Sequence, residues 1–173
     1  MKIVKNVFVS VFACGVLIGC GGKEEKKKDG FTYEKTQTTN KEDIKEDENV
    51  QTVVLAGTDL MKFDKTEIKV AAGKKIKLTL RHTGKMDVNV MGHNFVLLNQ
   101  GVDMAAFAAK AATSRDNKYI PVGSEKDVIA HTDLIGGGQV TTIEFDAPAV
   151  GTYNFLCSFP GHYMMMKGTF IVE

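Results

Sequence analysis

The sequence predicts an all-β sandwich of seven or eight strands, with one short helix outside the sheets, over residues 51–173. Three observations carry this reading. Apolar residues alternate with polar ones in several short runs, turn residues separate the runs, and one alanine-rich stretch without alternation interrupts them.

Ile76, Leu78 and Leu80 form one run, Val88 and Val90 a second, Ile143 and Phe145 a third, and Tyr153, Phe155 and Cys157 a fourth. Each places its apolar side chains on one face of a half-buried strand. Turn residues stand at Ala72-Gly73-Lys74, Thr83-Gly84-Lys85, Gly136-Gly137-Gly138 and Ala149-Val150-Gly151. That spacing suggests an antiparallel sandwich. The stretch from Met104 to Ala112, MAAFAAKAA, consists of strong helix formers and is expected to pack as a helix against the outside of the sheets. No internal repeat is visible.

Two segments of different composition precede the domain. Residues 1–19 begin with Lys2 and Lys5 and run apolar from Val7 to Ile18, as a secretory signal does. Charge resumes at Lys23, before the roughly 20 apolar residues a membrane span needs. Leu17-Ile18-Gly19-Cys20 resembles a bacterial lipobox, which implies that Cys20 is diacylated and heads the mature chain. More than one acyl chain at one site suffices for stable anchoring. Residues 21–50 hold 16 charged side chains in 30, with Phe31, Tyr33, Ile44 and Val50 as the only sizeable apolar groups. Such a segment buries too little surface to order itself, so residues 20–50 read as a lipidated cysteine and a charged, flexible tether. Lys23-Glu24-Glu25 resembles a short lipoprotein export signal. The expected location is the periplasmic side of a bacterial membrane or the cell surface.

Residues 51–173 carry 13 basic and 12 acidic residues, a balance that gives no electrostatic basis for binding nucleic acid. Protein or small-molecule partners remain. Of three cysteines, Cys14 leaves with the signal and Cys20 takes lipid, so Cys157 stands alone in the domain. A lone thiol in an exported domain is buried and inert, reactive, or bound to metal.

Its neighbours bear on the choice. In CSFPGHYMMMKG, His162 follows Cys157 by five positions and Met166 follows it by nine. A thiolate, two imidazoles and a weak axial thioether are the ligand set of a trigonal copper site. A second histidine is available in Gly92-His93-Asn94, 64 positions before Cys157, and a sandwich can bring the two segments together.

The segments NVMGHNFVL, VIAHTDLIG and CSFPGHYMMMKGT resemble, in order and at similar separations, those of the azurins, blue copper proteins of the cupredoxin fold. The resemblance covers Gln51 to Glu173, and the five-residue step from cysteine to histidine separates it from plastocyanin-like loops. It implies a cupredoxin-like Greek-key sandwich holding one copper ion that cycles between Cu(I) and Cu(II). It also implies Cys157, His93 and His162 as equatorial ligands, Met166 as the long axial sulfur, and the Gly92 carbonyl opposite. Met164 and Met165 are then surface residues. Backbone N–H groups at Asn94 and Phe159 are expected to point at the sulfur, and the Asn94 side chain to tie the two ligand loops together. The outer edge of His162 becomes the electron port, within an apolar patch of Met61, Met91, Phe159, Pro160, Met164 and Met165.

His82 and His131, in RHTG and VIAHT, are read as structural, with His82 near the site. Three departures from the azurins stand out: Tyr163 replaces a small residue, Phe95 takes the place of a buried tryptophan found in some members, and the domain has no cysteines for the usual disulfide.

The implied function is one-electron transfer without enzymatic activity. The expected partners are respiratory redox proteins such as c-type cytochromes or copper or haem reductases. Copper storage or delivery is the alternative. A hydrolase using Cys157 and His162 lacks an oxyanion motif and a third orienting group.

Overall fold

Strand β1 (Val50–Thr58) alternates buried Val53, Leu55 and Gly57 with more exposed neighbours, and this pattern lays one face of the strand on the core. The computed structural model describes residues 48–173, so the signal segment, Cys20 and all but the last residues of the tether lie outside the described residues. After β1 come β2 (Lys62–Phe63), β3 (Glu67–Val70), β4 (Lys75–His82), β5 (Val96–Leu98), β6 (Val128–His131), β7 (Val140–Asp146), β8 (Gly151–Leu156) and β9 (Lys167–Val172). The ninth strand beyond the expected seven or eight is accounted for by β2, which has only two residues.

One sheet has the order β2-β1-β4-β7 and the other β3-β9-β8-β5-β6. The sandwich is not wholly antiparallel as its alternation suggested: β1 pairs with β4, and β3 with β9, in parallel. Between β1 and β4 the chain crosses to the other sheet to form β3, so β4 returns beside β1 in the same direction. Side-chain alternation reports which face is buried and is blind to strand direction.

Leu55, Ile76, Leu78 and Leu80 from the first sheet meet Leu97, Phe155 and Phe170 from the second, all fully buried. Each such side chain contributes about 1.5–3 kcal/mol of burial free energy. The outer face of the five-stranded sheet is also covered. Helix α2 (Met104–Ala112) has the bounds its composition suggests and is capped by Asp103, whose carboxylate accepts the N–H groups of Ala105 and Ala106. Its Phe107, Ala108 and Ala111 pack on Val96, Leu98 and Leu156. Strand β5 is therefore buried on both faces, which explains why it shows no alternation.

Val88 and Val90 do not form a strand. They lie in a single helical turn, α1 (Val88–Met91), and Val90 is 62% exposed. The Asp87 carboxylate accepts the Asn89 N–H at 2.8 Å, and this cap outweighs the strand preference of two valines. The turn carries the chain to Gly92 and His93. His93 joins Ile135 through reciprocal backbone hydrogen bonds of 2.9 Å, and β8 runs straight into Cys157. Gly57 of β1 is in register with His82 of β4, so the ends of β1 and β4 flank the same region.

Candidate metal centre

The segment from Cys157 to Met166 is a closed loop. The Cys157 N–H donates to the Met166 carbonyl at 2.9 Å, and within the loop the N–H groups of Met165 and Met166 donate to the His162 carbonyl at 3.0 and 2.8 Å. This turn folds His162 back on the strand end, with its Nδ1 3.7 Å from Cys157 Sγ. His93 enters from the other loop. One ligating atom from each of His93, Cys157 and His162 lies within 4.8 Å of the others, and the three residues are 0%, 0% and 3% exposed.

The structure thus brings together the three residues the sequence singled out across 64 positions. The Gly92 carbonyl joins them, 3.8 Å from Cys157 Sγ. Of the three consecutive methionines, Met166 is fully buried in the cluster that contains Cys157, whereas Met164 and Met165 are 60% and 56% exposed. Asn94 Nδ2 donates to Ser158 Oγ and the Ser158 N–H donates to Asn94 Oδ1, both at 2.8 Å, so this side chain does bridge the loops. Phe159 is 8% exposed and its ring lies 4.7 Å from that of His162, placing it beneath the expected surface patch. Met61 and Met91 are half-buried and Pro160 is exposed. His131 is exposed at the end of β6 and outside the cluster.

Electrostatics favour a metal over a nucleophile. Burial pushes the Cys157 thiol up to about 11, although the backbone N–H groups of Asn94 and Phe159 pull it back. A cysteine nucleophile needs access and a depressed pKa, and Cys157 has neither. Burial pushes His162 down to about 4, helped by the neighbouring His93 and His82, and burial also lowers His93. Both imidazoles are neutral near pH 7, the form that ligates metal.

The surroundings of His93 fit a cation. Its Nε2 faces the Thr58 carbonyl at 2.9 Å and its Nδ1 faces the Gly92 carbonyl at 3.0 Å. A neutral ring has one N–H for these two acceptors. With Nε2 donating to Thr58, the Nδ1 lone pair and the Gly92 oxygen are two acceptors side by side, an arrangement a bound cation stabilises. No carboxylate belongs to the cluster among the described residues, and one thiolate with two imidazoles suits copper rather than magnesium or calcium.

Two supporting residues, Gly57 and Thr58, escaped the sequence reading, whereas His82 was expected near the site. Gly57 lies so close to His93 that a Cβ there would stand 2.6 Å from Cδ2, and Thr58 orients the same ring through its carbonyl. A glycine at a core-facing strand position was the available signal for the first, while a backbone carbonyl leaves none. His82 stacks on His93 with centroids 4.2 Å apart and planes 9° from parallel. Its Nε2 lies 2.8 Å from the Met91 carbonyl and its Nδ1 accepts the Gly84 N–H.

A family model for copper-binding proteins of the plastocyanin/azurin family matches residues 48–173. The chain is 43% identical over 121 residues to an azurin of Bordetella pertussis, covering 68% of this chain and 80% of that one. It is 42% identical over 120 residues to azurin-1 of Alcaligenes xylosoxydans xylosoxydans, covering 67% and 92%. Among solved structures, auracyanin A, a blue copper protein of Chloroflexus aurantiacus, superposes with a TM-score of 0.64 at 31% identity over 72% of this chain and 99% of that one. An azurin of Methylomonas sp. strain J gives 0.64 at 33% identity over 70% and 97%. A copper-competent pocket at the end of a β-sandwich, on a chain this similar to azurins over the whole described region, places the protein in the plastocyanin/azurin family of copper-binding proteins.

Proposed function

We propose that the domain carries single electrons between redox partners, and that His93, Cys157 and His162, with the buried Met166 thioether and the Gly92 carbonyl beside them, would hold the copper that does so. Bound copper supplies a one-electron couple there. The observation that supports this most is the preformed, buried cluster within 4.8 Å, whose side chains are fixed from outside the pocket. Thr58 holds the His93 ring from one edge and His82 stacks on its face. Asn94 and Ser158 lock the two loops together. Donors fixed in this way move little when the charge at their centre changes, which keeps the barrier to electron transfer low.

His162 provides the route out. Among the described residues no buried side-chain nitrogen lacks a partner, and His162 Nε2 has none, so that ring edge meets solvent. The exposed Met164 and Met165 and the half-buried Met61 and Met91 lie in segments beside it and suit a small, transient apolar contact with a c-type cytochrome or a copper or haem reductase. In this reading the domain has no catalytic activity of its own. Cys20 carries the lipid and residues 21–50 tether the domain to a bacterial membrane, on its periplasmic side or at the cell surface.

The test is the visible spectrum of the copper(II) protein together with its electron exchange with a reduced c-type cytochrome. An intense blue band lost in Cys157→Ser, with exchange fast enough for turnover, is expected. A colourless complex sinks the site assignment, and a blue protein that exchanges electrons slowly while shedding copper readily points to storage or delivery.

A further inference from the structure

Six of the eight methionines, Met61, Met86, Met91, Met164, Met165 and Met166, lie in the segments that converge on the metal pocket. Met166 is buried within it. The other five are accessible: Met164 is 60% exposed, Met165 56% and Met86 45%, and Met61 and Met91 are half-buried. They come from four separate stretches of chain. The Met61 N–H donates to the same Thr58 carbonyl that orients His93. The Met86 N–H donates to Asp59, whose other carboxylate oxygen takes the Lys85 N–H. Met91 immediately precedes Gly92, and Met164 and Met165 follow His162 in its turn.

A surface meant only to exclude water can be built from leucine, valine or phenylalanine. Thioethers add a polarisable sulfur that ligates soft monovalent ions and offers little to harder divalent ones. The pocket is nearly sealed, its three donors being at most 3% exposed, and Met91, Met164 and Met165 stand within two or three residues of His93 and His162 along the two segments that carry those ligands.

We propose that the accessible methionines around the pocket mouth, Met164 and Met165 foremost, form a soft capture site for Cu(I) through which the ion enters the buried centre. The transfer is a ligand exchange without change of oxidation state. Thioether bonds to Cu(I) break as bonds to His93, His162 and Cys157 form, and the Cys157 thiol releases its proton to solvent. Thioethers bind weakly enough to pass the ion on. The inference rests on copper being the metal of the pocket and is independent of the redox partner.

The experiment compares the copper-free full chain with a Met164→Leu/Met165→Leu variant, which keeps apolar bulk and removes two sulfurs. Cu(I), supplied anaerobically as its acetonitrile complex, is expected to be taken up about tenfold more slowly by the variant, with Cu(II) uptake changed less than about twofold. A full yield of blue protein from the variant shows the pocket itself intact. Independently, Ag(I) added to copper-loaded wild-type protein is expected to shift the methyl NMR signals of Met164 and Met165. Equal Cu(I) rates, equal slowing for both ions, or unmoved methyl signals would each overturn the proposal.

Discussion

Asn94 and Ser158 hold each other by two hydrogen bonds of 2.8 Å, and in doing so they join the loop of His93 to the loop of Cys157. Both residues are essentially inaccessible to water, at 0% and 1% exposure. Asn94→Leu leaves the Ser158 N–H and hydroxyl unpaired, at a cost of about 1–3 kcal/mol for buried polar groups. The copper-free variant is expected to melt several degrees lower, and the copper(II) form to show a shifted blue band because the two loops lose their common register. Unchanged melting together with an unchanged band shows that the loops are registered by something else.

Gly57 faces the His93 ring as Asn94 faces Ser158. Added carbon at Gly57 meets Cδ2 at 2.6 Å, and the ring cannot retreat freely because His82 stacks on it at a centroid distance of 4.2 Å. Gly57→Ala is therefore expected to cost about 1–3 kcal/mol by overpacking and to turn the imidazole relative to Cys157. Copper binding persists with an altered visible spectrum. A wild-type spectrum and wild-type stability mean that the ring has room the structure does not give it.

Tyr163 lies inside the ligand loop yet packs with Val102, Met104 and Val128 against the cluster organised by α2. The residue that stands out in the sequence as a departure at the partner surface also links the loop to the second core. Tyr163→Ser is expected to lower stability by about 1–3 kcal/mol and to speed copper loss to a chelator, while Tyr163→Phe retains both properties. If the serine variant loses stability without faster copper release, the contact supports α2 alone.

How much of this was legible depended on where the information sits. Cys157, His162 and Met166 were readable because few side chains ligate soft metals and their spacing is short and characteristic, and His93, 64 positions away, became readable only because that set needs a second imidazole and its segment resembles the azurins. Helix α2 was readable because alanine-rich sequence without alternation has one good local solution. The turn at Val88–Met91 was not, since two β-branched residues alternating with polar ones look like a strand until the Asp87 cap is counted. The bridging role of Asn94 was implied by the resemblance, but its partner Ser158, the parallel pairing of β1 with β4 and the Thr58 carbonyl beside His93 are products of tertiary placement, which side-chain identity along the chain does not encode directly.

The pH behaviour follows from the buried donors. Burial lowers His93, and takes His162 from 6.5 down to about 4, so folding keeps both rings neutral. The unfolded chain binds their protons more readily, and stability present above pH 6.5 is lost as pH falls toward about 4. For His162 alone this amounts to on the order of 3 kcal/mol. Cys157 acts at the other extreme. Its thiol is raised from 9.0 to about 11, so the copper-free fold loses stability as pH rises through that interval, where the unfolded thiol ionises first. Denaturant melts of the copper-free protein are expected to give greatest stability between about pH 7 and 9. Copper adds a separate dependence, because the thiol must lose its proton to ligate. Between those limits the imidazoles are already neutral, and apparent copper affinity is expected to rise about tenfold per pH unit, the signature of one released proton. A flat affinity profile there means either that Cys157 is ionised before the metal arrives or that its sulfur is not a ligand.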